Sequence, residues 1–202
     1  MNAKVNLTMG PVEWGILILL SAVWGGSFFF VEVAIHEVPP LTMVLVRVGL
    51  AAIAMQLALP LFGLRMPTDW KVLRAFLFMG LLNNAVPFSL IVFGQTQIAS
   101  GLASIFLAAT PNFGVLVAHF MTDDERITPL RVFGVVFGFG GVALMIGGDL
   151  TEGFSGTIIG QLALLGAALS YAFGGVFGRR FKGMGVKPAQ TAAGQVTASS
   201  LL

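Results

Sequence analysis

Residues able to do chemistry are sparse in this chain, and the conspicuous ones lie in the middle of apolar runs. Trp24, Asn83-Asn84, Thr110-Pro111-Asn112 and Ser170-Tyr171 each fall near the centre of a hydrophobic stretch. An unpaired polar group at such a midpoint is costly, so it marks either a bond to a neighbouring helix or a surface that meets a polar solute. The chemistry available to amides, hydroxyls, an indole and a phenol is reversible recognition by hydrogen bonding and stacking. The candidates for contact with a small-molecule substrate are therefore Trp24, Asn83, Asn84, Thr110, Asn112 and Tyr171. Pro87 and Pro111 each remove a helical hydrogen bond and can turn a carbonyl toward a cavity, which makes them candidate kinks.

Arg47 is the charge set deepest inside an apolar stretch. It follows Leu41 by about 9 Å of helical rise, within snorkelling reach of the membrane surface. Its face would continue through Ala51, Ala54 and Ala58, opposite a bulky stripe of Met43, Val46, Leu50, Ile53 and Leu57. That arrangement points Arg47 inward, to a structural or gating role with Glu32 as its expected partner.

Covalent catalysis finds little support. With no cysteine there is no thiol nucleophile, thiolate metal site or disulfide framework. There is no Gly-x-Ser-x-Gly, and His36-Glu37 lacks the second histidine of a zinc motif. No Walker phosphate loop is present, so no cofactor, metal or nucleotide is expected. Net charge is only +2, which argues against nucleic acid as a partner.

The elements that position these residues are membrane spans. Hydrophobic residues make up 56% of the chain and charged ones 10%, too few to cover a water-facing surface. The 26 glycines fit helices that approach closely in lipid. Apolar runs predict six spans, over 12–35, 41–62, 75–93, 98–120, 127–146 and 157–177, and a seventh begins near Pro188. Asn83, Asn84, Pro87 and Ile91 share one face of the third span with Gly80, and Gln95 lies beyond. The first run is longer than a signal-peptide core, with Glu13 where positive charge belongs, so it is expected to be retained.

Basic residues alternate between loops. Lys4, Arg65, Lys71, Arg74, Arg126, Arg131, Arg179, Arg180, Lys182 and Lys187 fall on one side, and the other side carries Glu37, Asp149 and Glu152. This predicts a cytoplasmic N-terminus in a multi-pass protein of the cell membrane, with the bilayer as its surroundings. A homodimer is left open.

The sixth span echoes the first. Ser21-Ala22-Val23-Trp24 lies over Ala168-Leu169-Ser170-Tyr171, and Val38-Pro39-Pro40 over Val186-Lys187-Pro188, which sets Arg47 against Gln195. A unit of five spans must insert its second copy upside down, and inverted repeats mark secondary transporters.

At this point the chain resembles the EamA-type transporters of the drug/metabolite transporter superfamily. The resemblance rests on Ala22-Val23-Trp24-Gly25-Gly26-Ser27-Phe28, Pro40 followed by Arg47, Thr110-Pro111, Glu125-Arg126-Ile127-Thr128 and the glycine-rich stretch from Gly134 to Gly148. It implies an all-α integral membrane protein, a polytopic helix bundle of inverted five-helix repeats. Residues 1–150 would form the first repeat and 151–202 the start of the second, truncated after about six and a half spans. It also implies secondary transport, as efflux or exchange, of small metabolites, amino acids or drugs by alternating access. The alternatives are a non-transporting membrane subunit or an incomplete, inactive fragment; an intramembrane enzyme is the weakest reading.

Overall fold

A computed structural model describes residues 9–122, 125–150 and 156–202, and the described residues are helices joined by turns. Six stretches are long and apolar enough to cross a membrane: Pro11–Ala34, Pro40–Phe62, Trp70–Gln95, Ser100–Met121, Pro129–Gly147 and Thr157–Gly183. The chain is an all-α, multi-pass membrane protein. The first and second spans are α1 (Pro11–Ala34) and α2 (Pro40–Ala58), the latter closed by a 3-10 turn over Leu59–Phe62. The third divides into α3 (Trp70–Gly80), a π-helical turn over Leu81–Ala85, and α4 (Val86–Gln95). The fourth divides into α5 (Ser100–Leu107) and α6 (Thr110–Met121). Then come α7 (Pro129–Leu150), α8 (Gly156–Gly178), the short α9 (Arg180–Gly183) and α10 (Pro188–Ser199).

Local chemistry sets the starts. Proline occupies the first helical turn of α1, α2 and α10, where its missing N–H leaves nothing unsatisfied. Asp69 caps α3, its Oδ1 accepting from the Lys71 and Val72 amides at 2.7 and 3.4 Å. Gly63 and Gly185 supply the positive φ, +64° and +70°, that ends α2 and turns the chain from α9 toward α10. One expected break shifts: α7 continues past Gly147-Gly148-Asp149 to Leu150.

The sixth span is the hub. α8 packs against α4, α5 and α6, and Leu164, Ala167 and Ala168 are fully buried beside Phe106 and Ala103. Glycines let α8 mesh with the third span at several levels. A Cβ on Gly94 would lie 2.8 Å from Leu164 Cγ and 3.1 Å from the Gly160 carbonyl. A Cβ on Gly174 would lie 3.2 Å from Asn83 Oδ1, and one on Gly178 3.4 Å from Met79 Cε. α10 wedges between α2 and α3, with Gly194 under the Phe76 ring. Gln56 Nε2 donates to Thr197 Oγ1 at 2.9 Å across the same seam.

The loops rich in lysine and arginine gather at one end. Gln190 Nε2 donates to the Arg65 carbonyl at 2.6 Å, and Arg179 pairs with Glu125 at 2.6 Å. The loop after the second span thus touches the first turn of α10, and the loop after the fourth touches the end of the sixth span.

The inward face of α2 also differs from the expectation. Val44, Val48, Ala52 and Leu59 are buried, whereas Ala54 is exposed and Ala51 and Ala58 are half-buried. The bulky stripe at Val46, Leu50, Ile53 and Leu57 does face outward. Arg47 rides on the flank between the two, half-buried, because its long stem spans the edge of the contact.

Candidate functional site

Two adjoining cavities sit where the first, third, fourth and sixth spans converge. The larger, about 610 Å³, is bordered by Ser21, Trp24, Phe28, Ser104, Thr110 and Tyr171. The smaller, about 150 Å³, is bordered by Trp24, Ser27, Arg47, Phe88, Gln95 and Tyr171. Trp24, Phe28, Leu107 and Tyr171 border both, so the aromatic pair stands at their junction. The two rings meet edge to face, 6.5 Å between centroids. Trp24 and Tyr171, aligned in the sequence comparison of the first and sixth spans, are thus neighbours in space.

Breaks in the third and fourth spans frame this region. In the π turn the Val86 amide bonds back to the Leu81 carbonyl, five residues away. The Leu82 carbonyl would then need residue 87, which is proline and has no N–H. Ser170 Oγ fills the vacancy, donating to Leu82 O at 2.7 Å. Pro87 therefore does break the span, with the irregularity in the turn that precedes it. In the fourth span the break falls at Ala108-Ala109, just ahead of Pro111, and Thr110 Oγ1 donates to the Leu107 carbonyl at 2.6 Å. π turns and broken helices recur at functional sites in membrane proteins because irregular backbone survives only where something satisfies it.

Arg47 is held by two groups on other spans. Its Nη2 donates to Ser27 Oγ at 3.2 Å, and its guanidinium lies over the Phe88 ring at 4.4 Å. The expected partnership with Glu32 is not made. Glu32 Oε2 accepts from the Ser100 amide at 3.3 Å and so caps the start of α5. A planar cation can satisfy itself on an aromatic face and a hydroxyl without a carboxylate. Among the described residues, no carboxylate borders either cavity.

Of the other sequence candidates, Trp24, Tyr171 and Thr110 border the cavities, but Asn83, Asn84 and Asn112 do not. Asn83 Nδ2 donates to Gln195 Oε1 at 3.1 Å, joining the π turn to α10. Asn84 is buried one residue on, and its Nδ2 has no partner among the described residues. Asn112 presses against Gly138 of α7. α7 is thus closely packed at Gly138, while Gly134 has open space beside it.

Gln95 is the residue that sequence reasoning placed on the right face without naming it as a candidate. It is 4% exposed, its Nε2 donates to the Phe28 carbonyl at 2.9 Å, and its Oε1 has no partner among the described residues. It also borders an outer vestibule of about 530 Å³ with Glu32 and His36. Only its register, two turns beyond Pro87, hinted at this.

The profile of the EamA-like transporter family matches residues 13–147, more than half of the chain. This chain belongs to the EamA-like transporter family. Among its EamA relatives, the uncharacterized inner membrane transporter YedA of Escherichia coli K12 is 31% identical over 83% of this chain and 53% of its own length. The uncharacterized transporter YoaV of Bacillus subtilis is 25% identical over 81% of this chain and 56% of its own. A probable amino-acid metabolite efflux pump of Escherichia coli K12 is 28% identical over 87% and 56% respectively. The chain spans about half the length of the curated relatives it matches. No solved structure matches it.

Proposed function

We propose that this EamA protein acts in secondary transport, moving small amphipathic metabolites, amino acids or drugs across the cell membrane by alternating access, as efflux or exchange. The observation that carries the reading is the pair of cavities joined at Trp24 and Tyr171, beside two broken spans. The smaller cavity offers a guanidinium, a phenol and a buried amide oxygen against the Phe28 and Phe88 rings. A solute with one carboxylate and an apolar body, such as an amino-acid derivative, would match that lining, and the efflux pump among the relatives carries such a name. No Walker loop is present in the sequence and, among the described residues, no carboxylate borders the cavities, which favours facilitated diffusion, exchange or coupling elsewhere. The alternation of basic loops supports an N-terminus in the cytoplasm.

The test is counterflow of labelled amino acids in vesicles holding the protein. Trp24→Ala should weaken apparent affinity about fivefold, from the roughly 1 kcal/mol of an aromatic contact. An imposed pH gradient should leave the rate unchanged. Counterflow that survives Trp24→Ala and Arg47→Gln unaltered would place the transport path elsewhere.

A further inference from the structure

A third hollow lies at the basic end of the bundle, away from the cavities at Trp24. It is an open groove of about 760 Å³ between α3, α6 and the junction of α8 and α9. Lys71, Arg74 and Arg180 border it together with Leu202, and among the described residues no acidic side chain does. The Arg180 guanidinium lies over the Phe177 ring at 3.8 Å, which fixes that cation at the rim. Phe177 in turn tilts onto Phe78, 4.8 Å between centroids, so the aromatic pair links the two spans across the groove. The neighbouring Arg179 is paired with Glu125 and does not border the groove.

Below the cations the wall is greasy. Leu77, Phe78 and Leu81 lead away from Arg74 along the third span, reaching about 10 Å deeper at helical rise. Phe78 and Met121 are 49% and 56% exposed, so this wall opens outward instead of closing into the core. A soluble anion would use the cations and leave the wall bare. A molecule with an anionic head and alkyl chains would use both.

We propose that this groove binds an anionic glycerophospholipid, its phosphate at Lys71, Arg74 and Arg180 and an acyl chain along Leu77, Phe78 and Leu81. Arginine forks match phosphate oxygens in two-point contacts, and basic pockets between spans are recurrent headgroup sites. The site is independent of the transport reading, since none of its residues borders the cavities at Trp24.

The experiment is native mass spectrometry of the whole chain released from bilayers of phosphatidylcholine and phosphatidylglycerol, counting retained lipids. Wild type should retain phosphatidylglycerol selectively. The triple variant Lys71→Ala, Arg74→Ala, Arg180→Ala should bind it roughly a hundredfold more weakly. A second triple variant, Arg65→Ala, Lys182→Ala, Lys187→Ala, loses equal charge from the same end outside the groove and should retain the lipid as wild type does. Equal loss in both variants means diffuse surface attraction and overturns the proposal. Displacement of the lipid by millimolar inorganic phosphate would mean a soluble-anion site, and also overturns it. Should the groove variant fail to fold, Arg180→Lys keeps the charge but loses the stacking on Phe177, and selectivity for phosphatidylglycerol should drop. Retention of phosphatidylcholine and phosphatidylglycerol in equal numbers by wild type overturns the proposal without any variant.

Discussion

Replacing Gly80 with alanine tests how α10 is seated. A Cβ there would lie 2.6 Å from the Gln195 carbonyl oxygen and 3.0 Å from the Ser199 amide nitrogen. Both are backbone atoms, so no side chain can swing aside, and α10 must retreat by several tenths of an ångström. The retreat also stretches the Asn83–Gln195 bond one turn along the same face, and lifts Gly194 from Phe76. Overpacking of this sort costs about 1–3 kcal/mol. Alanine in place of glycine also favours a helix by up to about 1 kcal/mol, which would mask part of the loss. Gly175→Ala removes that ambiguity, because Gly175 is also helical but has open space beside it. The difference between the two variants isolates the clash. Thermal unfolding in detergent should place Gly80→Ala roughly 2–12 °C below Gly175→Ala, at about 2–4 °C per kcal/mol for a chain this long. A Gly80→Ala protein as stable as Gly175→Ala would refute the close seating of α10 on α3.

Other perturbations bear on neighbouring features. Ser170→Ala should cost about 1–3 kcal/mol in unfolding experiments, because it strands the Leu82 carbonyl, which proline at 87 cannot serve. A double-mutant cycle of Asn83→Leu with Gln195→Leu should give a coupling of about 0.6–2 kcal/mol; zero coupling would remove that bond from the seam. Arg47→Lys keeps the charge but loses the planar contact with Phe88, and counterflow affinity should fall by up to about 30-fold. Because the chain has no cysteine, single cysteines can be placed at His36 and Lys187. A membrane-impermeant thiol reagent added outside cells should label the first alone if the N-terminus is cytoplasmic.

Spans were legible in the sequence because a long apolar run has few other uses, and the described spans differ from it mainly at their ends. Breaks at Pro87 and Pro111 were legible too, since proline removes a bond wherever it sits in a helix. What could not be read was who repairs them. The Leu82 carbonyl is served from 88 residues away by Ser170, and nothing local encodes that pairing. Arg47 misled for the same reason. The nearest carboxylate on the expected side was Glu32, but the cation's neighbours are Ser27 and Phe88, brought there by the packing of three spans. Trp24, Tyr171 and Thr110, chosen for their midpoint depth, border the larger cavity. Asn83 has the same depth and faces α10, because depth along a helix says nothing about which neighbour lies opposite.

The glycine meshing of the third and sixth spans constrains how the bundle can move. Gly94 against Gly160, Gly174 against Asn83 and Gly178 against Met79 act like teeth at successive heights. A slide of one residue, about 1.5 Å, would press the Gly94 level onto the Gly160 carbonyl and disturb the side-chain contacts with Asn83 and Met79. The two spans therefore form a stator. On the proposed alternating-access reading, the expected movers are α1 and α7, whose apolar windows are 11% and 0% buried among the described residues. Spin labels at Phe93 and Leu162 should then report one fixed distance under opposite solute gradients, while labels at Val23 and Leu162 report two.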